Sequence, residues 1–287
     1  MPPLTLIDAA LSDLADSITL RELSGVASHT AIVAEGLDSP VVSKALGRYL
    51  VGALAGAVDL DARLSDALLV QGAEARVELA NTVRRLVGDT NAFADEQEIR
   101  FRDSRRNAWI AEGVVHALLV VRARVETACL AGAVHALTQP HQVPTQQGLD
   151  AVAIYADDGG PVVAVGESKA SRADGSGQLT EAATMFAAVD EGEYGPHLRA
   201  ALLSLRRVLP DTLAPQVSDA LWREHRCYLP VILHEAPFDP EAERQVLARL
   251  VPPLERRRLL ALRLDDFHAF FDAVADSMRS AVAEVAI

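Results

Sequence analysis

The sequence predicts an α/β protein in which helices flank a mixed sheet made mainly of antiparallel hairpins. Two apolar runs, at 149–156 and 161–168, flank the turn signal at 157–160, which reads Asp-Asp-Gly-Gly and is typical of a β-hairpin. Helical periodicity precedes this hairpin at 103–121 and follows it at 177–190. Because 50% of the 287 residues are hydrophobic, the chain can bury a large core.

The first 95 residues predict a largely helical N-terminal subdomain of unknown role. Its predicted elements are helices at Thr5–Ala15, Val41–Ala57 and Ala73–Leu86, an extended piece within Thr30–Pro40 and a short strand at Ala67–Val70. We place a boundary after residue 95, so that 96–287 forms a second domain with a helical C-terminal extension. In that domain a further strand is expected near 126–133.

The C-terminal third predicts one more strand among helices. Helices are expected at Tyr194–Val208, 240–250 and 265–283. The apolar run Cys227–His234 predicts a strand, and Pro230 within it favours an edge position or a bulge because proline cannot donate to a ladder. Phenylalanines at helical spacing in the last helix favour core packing over a partner-docking surface, namely Phe267, Phe270 and Phe271.

The hairpin carries the residues that predict a chemical site. Centring its turn on 158–159 places Asp150 opposite Glu167, while Glu167 and Lys169 point to one face because side chains alternate along a strand. Two carboxylates beside an ammonium suit Mg²⁺, and the lysine can orient a water or stabilise a phosphoryl group. The alternative is a solvated hairpin end with a surface salt bridge. Strands that are apolar on both faces favour the functional interpretation.

Asp150 followed by Glu167-Ser168-Lys169 resembles the motif of the PD-(D/E)xK nuclease superfamily. That superfamily has a restriction-endonuclease-like fold, in which a helix bearing a Glu precedes a β-meander with the motif and a helix follows it. Glu112, in the helical stretch NAWIAEGVVHALL, takes the position of the helix-borne Glu, and GESKAS followed by GQLTEAATMFAAV matches the strand-to-helix step. One departure is that no proline precedes Asp150.

The resemblance implies a metal-dependent endonuclease that cleaves DNA with Mg²⁺ or Mn²⁺. The implied metal ligands are Asp150, Glu167 and Glu112, and the same three with Lys169 form the implied catalytic set. Weaker candidates for substrate binding are Gln147, Gln178, Arg105 and Arg106.

A narrower resemblance joins the phrases AEGVVHALL, QQGLDAVAI and VAVGESKAS. Together they resemble the HamA family of nuclease subunits from Hachiman antiphage defence systems. This resemblance implies a role in antiviral defence and a helicase or ATPase partner that controls the nuclease. The alternative function is a catalytically silent nuclease fold that serves as an adaptor or DNA-binding module in a defence complex. The complete motif favours the enzyme.

Two histidines bracket the loop before Asp150. His135 and His141 could join a metal shell or act as a general base near neutral pH. A loop histidine without a chemical role is the interpretation that the sequence favours for both.

Charge and cysteine content limit the setting of the protein. The net charge of −13 argues against tight autonomous binding of nucleic acid, so DNA contact is expected to be local or assisted. The arginines just before the Glu112 helix provide the best local phosphate contact. Two cysteines and an acidic N-terminus without a signal-peptide pattern predict a cytoplasmic protein, and no apolar run is long enough to span a membrane.

Overall fold

A computed structural model describes residues 1–23, 25–57, 73–121, 128–141 and 148–286. The helices are α1 (Pro3–Ser17), α2 (Pro40–Gly52), α3 (Ala73–Val87), α4 (Glu96–Phe101), α5 (Asn107–Val120), α6 (Gly175–Glu191), α7 (Gly195–Leu205), α8 (Leu221–Glu224), α9 (Gln245–Ala248) and α10 (Phe267–Ala281). The strands are β1 (Thr19–Leu23), β2 (Thr30–Glu35), β3 (Val134–Leu137), β4 (Ala151–Asp157), β5 (Gly160–Ser171), β6 (Arg226–His234) and β7 (Arg258–Arg263). These elements confirm the predicted α/β class.

All seven strands form one mixed sheet in the order β1-β2-β7-β6-β5-β4-β3. The inner strands β2, β7, β6 and β5 pair in parallel, while β1, β4 and β3 pair antiparallel with their neighbours. The sheet is mixed, as predicted, but three of its six described strand pairs are parallel, so the prediction that antiparallel hairpins dominate it is wrong. One face packs on α1, α2, α5 and α10, and the other packs on α6 and α7. Because helices cover both faces, the inner strands are continuous apolar runs that bury nearly every residue.

The predicted hairpin is confirmed with its register. Strands β4 and β5 pair from Ala151↔Gly166 to Asp157↔Gly160, so the turn is centred on 158–159. Gly160 has a φ of +106°, which only glycine adopts without strain, and the Gly159 N–H donates to Asp157 Oδ1 at 2.8 Å. The register places Asp150, one residue before β4, at the position facing Glu167.

The described part of the first 95 residues shares its sheet and its core with the rest of the chain. Strands β1 and β2 extend the common sheet through β7, and helices α1 and α2 share one core with α5 and α10. A Cβ at Gly47 of α2 would lie only 2.5 Å from Ser277 Cβ of α10, so glycine permits this close helix contact. The boundary that we placed at residue 95 therefore coincides with no break in the sheet or the core.

Pro230 lies in a central strand, so the predicted edge position is wrong. Strand β6 is paired with β5 throughout its length and with β7 from Val231 onward. On the N-terminal side of Pro230 the contact with β7 is an isolated bridge between Tyr228 and Arg257. The proline therefore falls where the β6–β7 ladder is interrupted, and its missing N–H is tolerated there.

Other boundaries differ because pairing partners decide them. In place of the strand predicted near 126–133, residues 128–133 are irregular and β3 lies directly after them. Strands β1 and β7 were not predicted, and the helix expected at 240–250 is reduced to the single turn of α9. The strand predicted at Ala67–Val70 lies outside the described residues.

The aromatic stripe of α10 belongs to the core, as predicted. Phe267, Phe270 and Phe271 are each no more than 5% exposed. They pack in the cluster that also contains α2 and α5, so the stripe is not available as a docking surface. Among the described helices, none has the length and apolar character needed to cross a membrane.

His116 connects α5 to the sheet and predicts a pH-dependent stability. Its Nδ1 is 2.7 Å from the Tyr49 hydroxyl, and its Nε2 is 2.6 Å from the Thr138 carbonyl oxygen. Complete burial lowers the pKa of His116 from 6.5 to about 4. The unfolded chain therefore binds the extra proton first as the pH falls from 6.5 to 4, and stability is lost in this window.

We expect His116 to contribute about 3 kcal/mol to the loss of stability between pH 7 and pH 4, since one pKa unit corresponds to about 1.4 kcal/mol. Urea unfolding at both pH values, for the wild type and for His116→Gln, isolates this contribution as a difference of differences. An equal loss of stability in both proteins would contradict the assignment.

Candidate metal centre

Helix α5 brings a buried carboxylate to the end of the sheet. This helix is apolar on all sides and packs on β5 and α2, so it is buried almost completely. Glu112 is only 5% exposed. Its Oε1 accepts a hydrogen bond from the His141 backbone N–H at 2.8 Å, and its Oε2 is 3.1 Å from His141 Nδ1. One carboxylate thus holds both the backbone and the ring of His141.

Asp150 lies in the bend directly before β4, next to the last pair of the hairpin. Its Oδ2 accepts two hydrogen bonds from Ser168, from the backbone N–H at 2.8 Å and from the hydroxyl at 2.7 Å. Ser168, which lies between Glu167 and Lys169, therefore holds the Asp150 carboxylate in place. The motif itself assigns no role to Ser168.

Glu167 and Lys169 lie on β5 and form an ion pair. Lys169 Nζ is 2.9 Å from Glu167 Oε1. Glu167 is 7% exposed, and its Oε2 is buried without a hydrogen-bond partner among the described residues. A buried carboxylate oxygen without a donor is costly, so this atom is one that a cation would satisfy.

The structure brings Glu112, His141 and Asp150 into one group. One potential ligand atom from each lies within 4.8 Å of the others, which is close to the spacing of ligands around a single divalent ion. Glu167 is not in that group of three. It faces the group from β5, close enough for the charges of Asp150 and Glu112 to raise its pKa.

Burial and the neighbouring carboxylates raise the pKa values of Glu112 and Glu167. Burial, followed by the charge of Asp150, raises the pKa of Glu167 to about 7, and Lys169 opposes this shift. Burial also raises the pKa of Glu112, whereas the hydrogen bond to Glu112 raises the pKa of His141. Buried carboxylates that repel one another are stabilised when a divalent cation is bound between them. The donor set therefore fits a divalent cation.

The four predicted catalytic residues are at one end of the hairpin. The residues predicted to bind substrate differ from one another in location and in solvent exposure. Arg105 is exposed and lies in the helical segment directly before α5. Gln178 is partly buried near the start of α6, which follows β5. Gln147 lies outside the described residues. The sequence favoured a loop histidine without a chemical role at His141, because a single histidine in a loop carries no periodic signal. Its pairing with Glu112 exists only in the folded chain.

Arg106 is a correction to the predicted substrate contacts. Its side chain is fully buried, and one guanidinium nitrogen is 2.7 Å from Asp272 Oδ1 on α10. It also donates to Asn91 and Asn107, and it lies over the Phe93 ring at 4.8 Å. This arginine is therefore a structural cation within the core, unable to contact a phosphate in this conformation.

Comparison with protein-family models finds no match, and no curated protein matches the chain significantly. The class of site is therefore defined by its chemistry alone. It is a buried group of carboxylates and one imidazole that could bind a metal ion, with a lysine at its border.

Proposed function

We propose that the chain is a metal-dependent nuclease of the PD-(D/E)xK superfamily with a restriction-endonuclease-like fold. The order α5, β3, β4, β5, α6 supports this proposal, because the superfamily motif requires a helix, a β-meander and a helix in that order. Glu112, Asp150, Glu167 and Lys169 occupy the corresponding positions. The observation that carries the proposal is the buried, unpartnered Glu167 oxygen beside Lys169, opposite Asp150.

The residues divide the work of phosphodiester hydrolysis among them. A bound Mg²⁺ or Mn²⁺ would polarise the phosphoryl group and lower the pKa of a bound water. Asp150 and Glu167 would hold the ion, together with the pair formed by Glu112 and His141. Lys169 retains N–H bonds beyond its contact with Glu167, and its side chain is 27% exposed. It can donate to a phosphate oxygen or orient the attacking water.

The proposal also includes the substrate of the nuclease and its biological role. The substrate is DNA, and the setting is antiphage defence with a helicase or ATPase partner, as in Hachiman systems. The charge of the chain supports delivery to DNA by a partner, because a net charge of −13 repels nucleic acid and Arg106 is buried in the core. Co-purification from the native host tests the partner, and recovery of the chain alone would count against it.

The activity is tested by incubating the purified chain with supercoiled plasmid. We expect nicking or linearisation with Mn²⁺ or Mg²⁺ and none with EDTA, because the site has no other source of Lewis acid. Glu167→Gln is the matched control, since it retains the shape of the side chain and removes the charge. Cleavage that persists in EDTA or in this variant would contradict the proposal.

A catalytically silent adaptor or DNA-binding module is the second candidate. The burial of Arg106 favours the adaptor form of this candidate, because it leaves Arg105 as the exposed member of the two arginines next to α5 and removes one contact with phosphate. Recovery of the chain in a complex with its partner, without DNA cleavage under any divalent cation, would identify the adaptor, and a mobility shift of DNA by the chain alone would identify the DNA-binding module.

A further inference from the structure

Glu112 orients the imidazole of His141 through one of the two ring nitrogens. Glu112 Oε2 is 3.1 Å from Nδ1, and Glu112 Oε1 fixes the backbone N–H of the same residue. Nδ1 therefore carries the proton in the neutral ring, and Nε2 has the free lone pair. In the part of the chain that the structure describes, no hydrogen bond reaches Nε2.

Nε2 faces the segment that leads into Asp150. It is 3.6 Å from the point that a Cβ on Gly148 would occupy, and Gly148 has no side chain to fill that space. A larger residue at this position would stand directly against the free nitrogen. Among the described residues, the missing side chain of Gly148 therefore leaves room beside Nε2, two positions before Asp150.

Two neighbouring carboxylates have the same arrangement of one held atom and one free atom. Ser168 holds Asp150 Oδ2, and Lys169 holds Glu167 Oε1. Within the described ranges, Glu167 Oε2 is buried and accepts no hydrogen bond, and the two hydrogen bonds from Ser168 both go to Asp150 Oδ2 and leave Oδ1 to face a ligand. Ligands of bound metals are commonly oriented in this way by a hydrogen bond to the atom that does not coordinate.

We propose that His141 is a direct ligand of the cation through Nε2, and that Glu112 is a positioning residue that holds Nδ1. This proposal deepens the proposed function, because it concerns the same site. The direct ligand set then contains His141 and Asp150, with Glu167 facing them from β5. Glu112 acts through the imidazole, which departs from the ligand role that the sequence motif implies for it.

An imidazole ligand changes which metal the site prefers. Mg²⁺ binds oxygen ligands almost exclusively, whereas Mn²⁺ and later transition metals also accept nitrogen. A site with one imidazole and two carboxylates should therefore bind Mn²⁺ more tightly than Mg²⁺. His141 is the residue that sets this preference.

Pulsed electron paramagnetic resonance with one equivalent of Mn²⁺ tests the proposal directly. A coordinated imidazole gives ¹⁴N modulation, which a site made of oxygen ligands lacks. We expect this modulation in the wild type, its loss in His141→Gln, and its retention in His135→Gln, a control on β3. Glu112→Gln should retain the modulation and weaken Mn²⁺ binding by about 10- to 100-fold, as for other groups that orient ligands.

Calorimetric titration with Mn²⁺ and Mg²⁺ provides the second measurement. The dissociation constant of Mg²⁺ divided by that of Mn²⁺ should exceed one in the wild type. This ratio should fall towards one in His141→Gln and remain unchanged in His135→Gln. A wild-type spectrum without ¹⁴N modulation, modulation that persists in His141→Gln, or no Mn²⁺ binding would each overturn the proposal. Plasmid cleavage without ¹⁴N modulation would refute the role of His141 alone. Modulation without cleavage, when the partner is present, would support that role and refute the nuclease.

Discussion

Replacing Asp150 with asparagine is expected to reduce plasmid cleavage by about a thousandfold, since a bound metal supplies several kcal/mol of transition-state stabilisation and each 1.4 kcal/mol is tenfold in rate. Asparagine retains an oxygen that can accept the hydrogen bonds from Ser168, so the fold should be preserved. When this oxygen accepts from Ser168, the amide –NH2 takes the place of the other carboxylate oxygen, and an amide nitrogen does not coordinate a cation. Cleavage rates at saturating Mn²⁺, with the melting temperature as a check on folding, measure the effect.

Two further variants distinguish the contribution of metal binding to activity from the contributions of the neighbouring residues. Ser168→Ala removes the hydroxyl that holds Asp150 and leaves both carboxylates in place, so a smaller loss of activity is expected. Lys169→Ala should lower turnover and leave Mn²⁺ binding nearly intact, because the lysine acts on water or phosphate. Activity in Asp150→Asn close to that of the wild type would remove this site from consideration.

Replacing Asp272 with alanine is expected to destabilise the fold by about 3 kcal/mol, because Asp272, with a side chain that is 34% exposed, neutralises a fully buried cation, and its removal leaves that charge uncompensated. The charge left behind is Arg106, whose side chain is fully buried. Its hydrogen bonds to Asn91 and Asn107 and the Phe93 ring remain, so the low end of the range for such pairs is expected. Equilibrium urea unfolding gives the free energy of unfolding directly.

Asp276 provides the control on the same helix. It pairs with Arg279 one turn away, and its side chain is 65% exposed. Surface ion pairs contribute about 0–1 kcal/mol, so Asp276→Ala should have a small effect. If the two alanine variants were equally stable, Arg106 would not depend on Asp272 for its charge balance.

The hairpin was predictable because its signal is local. Alternating faces, a two-residue turn and a glycine at a positive φ fix the register between β4 and β5. That register alone places Asp150, Glu167 and Lys169 at one end of the sheet. The helix bearing Glu112 was predictable for the same reason, since its apolar run ends in clear boundaries.

The partners of the site residues were not predictable. Arg106 precedes Glu112 in a basic stretch, and nothing in that stretch indicates that an aspartate 166 positions further along neutralises it in the core. His141 is separated from Glu112 by 29 positions, so their pairing appears only when α5 packs on β5. Such contacts depend on which surfaces meet, which is a property of the whole core.

By itself, the sequence determined most of the helices, the strands β4, β5 and β6 and the register of one hairpin, because each depends on neighbours along the chain. Tertiary structure alone decided that β7 lies between β2 and β6 and that the first 95 residues complete the same sheet. Parallel pairing between distant strands has no local signal, since the ladder forms only after the connecting segments have folded. Packing of the core then determined that Arg106 is buried and that His141 pairs with Glu112.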